Sequence, residues 1–353
     1  DKWEELTRIM GYWVDMKNPY VTYENNYIES VWWLLKKLYD KKLLYKGYTI
    51  QPYSPAAGTG LSTHELNQPG CYRNVVDRTA VAQFKTKIKK IDGDIYFLAW
   101  TTTPWTLPSN TALAVGKNID YLVVFTKNTF SNKWIKVILA KQLYNKYFNT
   151  PIPQKDKILH DLQHVEDHGV LEEQVDFAVS CIYELSPDVN FEKLATTSKL
   201  PWGLPILEFK GKDLEGISYE QLLPFVKIEN DKAFKVYSGN FVTTEEGTGI
   251  VHIAPTFGSD DFNLARKPGN DIPPAVVKRL DGLLEVPLVD LQGKFVEEVK
   301  DEIWGFAGEH VKEAYLTDEE KKIEFEKQKK ILEASGKIKE LKEYLSVDER
   351  IVL

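Results

Sequence analysis

Between residues 24 and 46, Tyr27, Val31, Leu34, Leu35, Leu38 and Leu43 recur at helical spacing, and Gly47 follows. That pattern predicts an amphipathic helix stopped by a glycine. The texture then changes. Pro52, Pro55, Gly58, Gly60, Pro69 and Gly70 punctuate a loop-rich passage, and short β-prone runs follow at 80–84, 95–100, 121–125, 135–139, 241–244 and 249–253. Short strands separated by turn signals predict a closed or sandwich-like β unit rather than a βαβ alternation. Residues 219–225 read as a short helix or a turn connection. From 316 to 345, lysine and glutamate interleave around Ile323, Ile331, Leu332, Ile338 and Leu345, and Gly336 interrupts the run. Two helices, or one broken helix, are expected there.

The fold class expected from this order is α+β: a β-rich, barrel-like domain with peripheral helices and helical flanks. Its expected divisions are a helical segment over 1–50, the β-rich domain over 51–315 and a charged helical segment over 316–353. Both flanks carry apolar residues with no evident partner of their own, and the chain opens on Asp1 rather than Met. An excised fragment is therefore expected.

Composition narrows the function classes. The 353 residues, 43% hydrophobic and 27% charged, exclude a wholly disordered chain, a collagen-like fibre and a disulfide scaffold. No apolar run reaches the roughly 18–20 residues of a membrane span, and the first residues lack the layout of a signal peptide. A cytoplasmic protein without a membrane partner is expected. The net charge of −7 argues against nucleic-acid binding by bulk electrostatics, although a local basic patch is compatible with it. With six arginines in the chain, phosphate contacts would lean on lysines and backbone N–H groups. Cys71 and Cys181 cannot form a zinc site alone.

Two segments could carry chemistry. The first runs Trp100-Thr101-Thr102-Thr103-Pro104-Trp105-Thr106-Leu107-Pro108-Ser109-Asn110. Its hydroxyls can donate and accept, and its prolines restrict the backbone around Trp105. It reads either as a strand end capping a turn or as a loop that holds a polar substrate or a water. The second runs Gly249-Ile250-Val251-His252-Ile253-Ala254-Pro255 and continues through Gly258, Asp260 and Asp261 into a helix over Asn263, Leu264 and Ala265. Here the alternatives are a core histidine with a helix-capping aspartate, or an imidazole shaping a pocket beside a carboxylate that holds a cation.

Two weaker candidates complete the inventory. His160, His164 and His168 share a face if their segment is helical, which suits a transition metal, but the polar stretch 154–173 reads as an exposed insertion. Lys85, Lys87, Lys89 and Lys90 form a basic cluster that reads as an RNA contact or as a solvated hairpin edge. There is no P-loop, dinucleotide fingerprint or serine elbow.

The threonine segment closely resembles the threonine-rich motif of the editing domain of isoleucyl-tRNA synthetases. The segment from Gly249 to Pro255, with Gly258 and Asp261, resembles the second half of the same site. Leucyl and valyl relatives carry Thr-Thr-Arg-Pro where this chain has Thr103 before Pro104. Glu29-Ser30-Val31-Trp32-Trp33 and the run from Tyr53 to Ser62 are similar to the family's passage from the catalytic core into the inserted domain. Residues 154–200 and the last charged helices match poorly. The His-Ile-Gly-His and Lys-Met-Ser-Lys-Ser signatures of aminoacylation are absent, so this chain alone is not expected to charge tRNA.

The resemblance implies hydrolytic removal of valine from mischarged tRNA(Ile), with valyl-adenylate as a second candidate substrate. Isoleucyl-tRNA synthetases are the standing example of a pocket that cannot reject a smaller analogue, with roughly 150-fold discrimination, so a second sieve is required. By the same resemblance, Asp261 pairs with the α-ammonium, and Thr101, Thr102 and Thr103 contact the carbonyl, ribose or water. His252 sizes the side-chain pocket, Trp105 walls it or packs, and Asn110 holds the loop or the adenosine. No metal or cofactor is implied for editing; ATP and magnesium belong to the absent catalytic core. The implied partners are the 3′ acceptor end of valine-charged tRNA(Ile) and the rest of the synthetase chain, and a monomer is expected. The alternatives are the editing domain of a valyl or leucyl enzyme, separable by its preferred ester, and a non-catalytic RNA- or protein-binding β module.

Overall fold

The computed structural model describes residues 2–45, 49–89, 91–128, 130–131, 133–148, 203–280, 284–301, 305–335 and 344–352. The chain divides into two compact units, Asp1–Thr49 and Ile50–Leu353. In the first, helices span Lys2–Ile9 and Asn25–Asp40. The second helix is the expected one, but it ends well before Gly47. Lys42 takes a left-handed backbone with φ +61, and the Leu43 N–H reaches back to the Leu38 carbonyl at 3.0 Å. This closing motif, which usually uses glycine, is made here by a lysine. Tyr27 and Val31 of that helix are half-buried, whereas Trp32 is 72% and Leu34 54% exposed.

The larger unit holds twelve strands among the described residues: β1 (Tyr53–Ser54), β2 (Thr59–Gly60), β3 (Ala80–Ile88), β4 (Ile91–Thr101), β5 (Ala112–Val115), β6 (Asp120–Lys127), β7 (Trp134–Ala140), β8 (Gly203–Lys210), β9 (Lys235–Ser238), β10 (Ile250–Ile253), β11 (Val276–Arg279) and β12 (Leu284–Pro287). The main sheet has the order β3-β4-β7-β6-β8, and a second has the order β10-β5-β9. Two-stranded ladders, β1–β2 and β11–β12, stand apart from these.

Alternation along the strands explains the layering. In β6, Tyr121, Val123 and Phe125 enter one core with Phe84, Phe97, Ile138, Leu113 and Ile250, which is shared by both main sheets. Leu122 and Val124 enter another, with Leu98, Val137, Leu139 and Tyr144. The period of two puts successive side chains on opposite faces, and each fully buried large residue contributes about 1.5–3 kcal/mol. All four residues of β5 are buried, because it lies between that shared core and a third one. The third core joins Ala112, Ala114 and Ile253 to Leu264 and Ala265 of the Ser259–Arg266 helix. A fourth gathers Phe295, Phe306 and Val347.

Two expectations need correction. The fold is mixed α and β, but no barrel-like closure forms among the described residues: the five-stranded sheet ends at β3 and β8, and the three-stranded sheet at β10 and β9. Face-to-face burial on both sides of β5 takes the place of edge closure. Residues 241–244 turn instead of extending. Val242 is nevertheless buried in the third core, so packing alone accommodates its apolar side chain.

The main sheets are joined where β7 ends and β10 begins. The Ala140 N–H donates to the Thr248 carbonyl at 2.8 Å, and the buried Tyr121 hydroxyl donates to the Gly249 carbonyl at 2.7 Å. Gly249 sits at φ +74, and a Cβ there would stand 2.3 Å from Ala140 Cβ. Gly249→Ala should therefore destabilise the larger unit by about 2–4 kcal/mol, combining left-handed strain with overpacking. Urea unfolding of the variant against the wild type measures this, and an unchanged midpoint and slope would contradict it.

Candidate active site

Chain geometry brings the two motif segments together. β4 ends at Thr101, Thr103 caps a 3-10 turn over Pro104–Ser109, and Asn110 leads into β5. Pro104 suits the first position of that turn because its fixed φ is helical and the missing N–H is not needed there. β5 then pairs antiparallel with β10, with Leu113 opposite His252 and Ala112 opposite Ile253. The Thr111 N–H extends the ladder to the Ile253 carbonyl at 2.9 Å. The threonine bend is thus carried alongside the histidine strand.

Hydroxyls order the bend. Thr101 Oγ1 accepts the Thr103 N–H at 3.0 Å, and the Thr106 hydroxyl donates to the Thr103 carbonyl at 2.8 Å. Thr106 Oγ1 also lies 3.1 Å from His252 Nε2. Because the single hydroxyl proton points at Thr103, this second contact assigns the hydrogen to Nε2 and leaves a lone pair on Nδ1. Nδ1 is buried without a hydrogen-bond partner among the described residues. Thr101 is buried, Thr103 half-buried and Thr102 exposed.

After β10 the chain turns through Pro255 into the Ser259–Arg266 helix. Asp261 Oδ2 accepts the Ala254 N–H at 2.8 Å, which folds the helix start back onto the strand end. Gly258 is required there, since a Cβ would sit 2.6 Å from the Asp261 Cγ. The ring of Phe257 meets the ring of Trp105 edge to face at 5.0 Å, a second link between the segments. Asp260 points into solvent and is exposed.

Burial moves both ionisable groups toward neutrality. Desolvation lowers the His252 imidazole to about 4. Desolvation raises the Asp261 carboxyl to about 6; the Ala254 N–H opposes that shift and the Asp260 charge adds to it. At neutral pH the cluster therefore holds a neutral histidine and an ionised but poorly solvated carboxylate.

Other anticipated residues take different positions. Asn110 is buried, donating to the Ala112 carbonyl at 2.8 Å and accepting the Tyr219 hydroxyl at 2.6 Å, so its amide holds the loop. The Trp105 backbone N–H donates to Asp348 Oδ1 at 2.9 Å. Lys85 pairs with Asp94 at 2.8 Å, and with Lys87 and Lys89 it lines a cavity of about 650 Å³ against Ile217 and Tyr219, away from the threonine bend. Lys90, the triad His160, His164 and His168, and Cys181 lie outside the described residues. Thr106 and Asp348 were not singled out in the sequence. Thr106 could have been, since it follows Thr103 by one helical turn, whereas Asp348 is 243 residues from its partner.

The family model for class I tRNA synthetases (I, L, M and V) matches residues 1–95. The chain is 52% identical over 351 residues to the isoleucine-tRNA ligase of Cytophaga hutchinsonii, covering 99% of this chain and 27% of that protein. It is 49% identical over 342 residues to that of Bacteroides fragilis, covering 92% and 27%. To the Clostridium tetani isoleucine-tRNA ligase it is 40% identical over 335 residues, covering 95% and 24%. The chain thus spans about a quarter of the length of these relatives. Among solved structures, GlLeuRS-CP1 aligns with a TM-score of 0.30 and 14% identity over 52% of this chain and 57% of that one. The editing domain of the P. falciparum cytosolic leucyl-tRNA synthetase aligns with a TM-score of 0.30 and 14% identity over 51% and 49%.

The opposed shifts have a measurable consequence. Asp261 is raised on folding, so its term adds stability as pH falls through 6 toward 4, because the folded state binds the proton first. His252 is lowered, so its term removes stability as pH falls from 6.5 to about 4. Each term is about 1–3 kcal/mol. Urea unfolding across pH 4–7 should show Asp261→Asn losing stability toward acid relative to wild type, and His252→Gln gaining it. Parallel profiles for all three proteins would contradict this electrostatic assignment.

Proposed function

The chain belongs to the isoleucine-tRNA ligase family, and from that premise we propose that it is the proofreading part of such an enzyme, releasing valine from mischarged tRNA(Ile). The observation that carries this reading is the convergence of a hydroxyl-rich bend, a neutral imidazole and a half-buried carboxylate on one strand end. A charged aminoacyl ester offers an ammonium, a carbonyl and a side chain, and each of the three groups suits one of them.

Asp261 anchors the α-ammonium by a charge-assisted hydrogen bond. Water adds to the ester carbonyl carbon, and the adduct collapses with loss of the ribose oxygen, giving free valine and tRNA. Thr102, the exposed threonine, meets the carbonyl or the water through its hydroxyl, while Thr101 and Thr103 hold the bend that presents it. An oriented amine and a positioned water suffice for so reactive an ester. His252 limits the side-chain space to an isopropyl group, Trp105 forms a wall beside it, and Asn110 keeps the loop in place. Valyl-adenylate offers the same ammonium and carbonyl, and is a second substrate.

In this reading residues 1–50 lead from the aminoacylation core, 51–315 form the editing domain and 316–353 lead back. The partners are the acceptor end of tRNA(Ile) and the rest of the ligase, a cytoplasmic enzyme working as a monomer. Editing draws on no metal; ATP and magnesium serve the aminoacylation half.

The test is amino-acid release from tRNA(Ile) charged with valine, threonine, isoleucine or methionine, using the intact ligase that carries this chain. Valine should be released and isoleucine retained. Asp261→Ala should weaken hydrolysis by about 3–5 kcal/mol, more than a hundredfold, since the ammonium loses its partner. His252→Ala should let isoleucyl-tRNA be cleaved as well. Wild-type rates in the aspartate variant, or intact selectivity in the histidine variant, would overturn the respective role.

A further inference from the structure

The threonine bend is held from outside its own segment. Asp348 lies in the Val347–Val352 helix, near the end of the chain, and only 5% of it is exposed. Its Oδ1 accepts the Trp105 N–H at 2.9 Å, and its Oδ2 accepts from Lys312 Nζ at 2.8 Å. The same ammonium donates to Asp77 Oδ2 at 2.6 Å. Beside this pair, Arg78 bridges to Glu349. Glu349 also accepts the Ser346 N–H at 2.7 Å and so fixes the start of the helix. Three stretches far apart in sequence, around 77, 312 and 348, therefore form one chain of charged groups that ends, through Asp348, on a backbone amide of the bend.

That amide is a sensitive point. Trp105 is the second residue of the 3-10 turn, between the Thr103 cap and Thr106, whose hydroxyl touches His252. Early N–H groups of a helical turn have no partner within the turn. A carboxylate is a strong acceptor for one of them. The ring of the same tryptophan packs against the core that contains Val347 and Phe306. Backbone and ring of Trp105 are thus both held by the region the Val347–Val352 helix occupies.

We propose that Asp348 is a positioning residue for the deacylation site, acting through the Trp105 amide to fix the turn that follows Thr103 and so the bend that presents the Thr102 hydroxyl. This rests on the deacylase reading. It goes beyond that reading by giving the last described helix a part in the chemistry of the bend. The carboxylate touches no substrate; its effect is on the geometry of the bend, and thus on the reaction step rather than on the ammonium anchor at Asp261.

Asp348→Asn and Asp348→Ala in the intact ligase separate this role from plain structural support. An asparagine oxygen can still accept the Trp105 N–H, although its amide opposes Lys312, so Asp348→Asn should lower the melting temperature. It should keep valyl-tRNA(Ile) hydrolysis within about threefold of wild type. Asp348→Ala should lower kcat by about 10–100-fold with little change in KM, as expected for a displaced group that acts in the transition state. Amide exchange in peptides covering 103–109 should speed up by roughly fivefold in the alanine variant and stay near wild type in the asparagine variant. Equal kcat in wild type and alanine variant, or unaltered exchange at the bend, would overturn the proposal. So would an equal loss of kcat in both variants, because the acceptor would then not matter. If the wild type hydrolyses no aminoacyl ester the deacylase reading fails, and the exchange arm still decides whether Asp348 holds the bend.

Discussion

The pairing of β5 with β10 is the constraint on which the site depends. Both strands are short, and β5 is buried on both faces, so their register is set by packing rather than by length. A slip of one residue would send Leu113 into the core that holds Ala112 and Ala114, and those alanines into the space Leu113 fills. The observed register puts His252 opposite Leu113. With it, two side chains 146 residues apart, Thr106 and His252, come within hydrogen-bond distance. Everything catalytic in the proposed scheme follows from that closure, since neither motif segment alone supplies an amine anchor, a hydroxyl and a size limit.

The electrostatics of the cluster follow from how it is buried. Desolvation disfavours charge on both groups, but it acts in opposite senses on an imidazole and a carboxyl. A protonated His252 would place an unsolvated charge in the interior. Burial prevents this by keeping the ring neutral across the physiological range. The carboxylate is ionised at neutral pH yet poorly solvated, with the backbone N–H groups of Ala254 and of Asp261 itself to support it. In the proposed reaction an incoming ammonium would meet an acceptor that has lost much of its water already, and the pairing would be stronger than in bulk solvent. Asp260, one residue earlier and exposed, lacks this property although its chemistry is the same.

Much of this was readable from the residue order, and what was not has definite causes. The runs at 80–84, 95–100, 121–125 and 135–139 fall inside β3, β4, β6 and β7, because largely apolar runs record burial in a broad sheet packed on both faces. Strand β8, with Pro205 inside it, and β5, with alanines at two of four positions, carry weak strand signals, and long-range packing makes them strands. The run at 241–244 has the residue types of a strand, but among the described residues it pairs with no strand. The two motif segments stood out because unusual residue types were clustered in each. Thr106 follows Thr103 by one helical turn in the sequence, but its contact with His252 depends on a strand 146 residues away. Asp348 could not be found in that way at all: nothing local connects it to Trp105, and only the packing of the Val347–Val352 helix brings the two together.

Three consecutive threonines suggest three equivalent hydroxyls, yet the geometry gives them separate duties. Thr101 closes the end of β4 by accepting the Thr103 N–H, so its oxygen is committed to the backbone. Thr103 stands at the head of the turn, and its hydroxyl lies 3.3 Å from that of Thr106, which in turn contacts the imidazole. Thr102 faces solvent. A group that orients a substrate has to be accessible, and one that orients such a group has to be fixed; one side chain cannot easily be both. The proposed scheme divides the two demands between adjacent residues of the bend. Thr101 is buried, Thr103 half-buried and Thr102 alone exposed, so the repeated residue type conceals a division of labour that comes from backbone geometry.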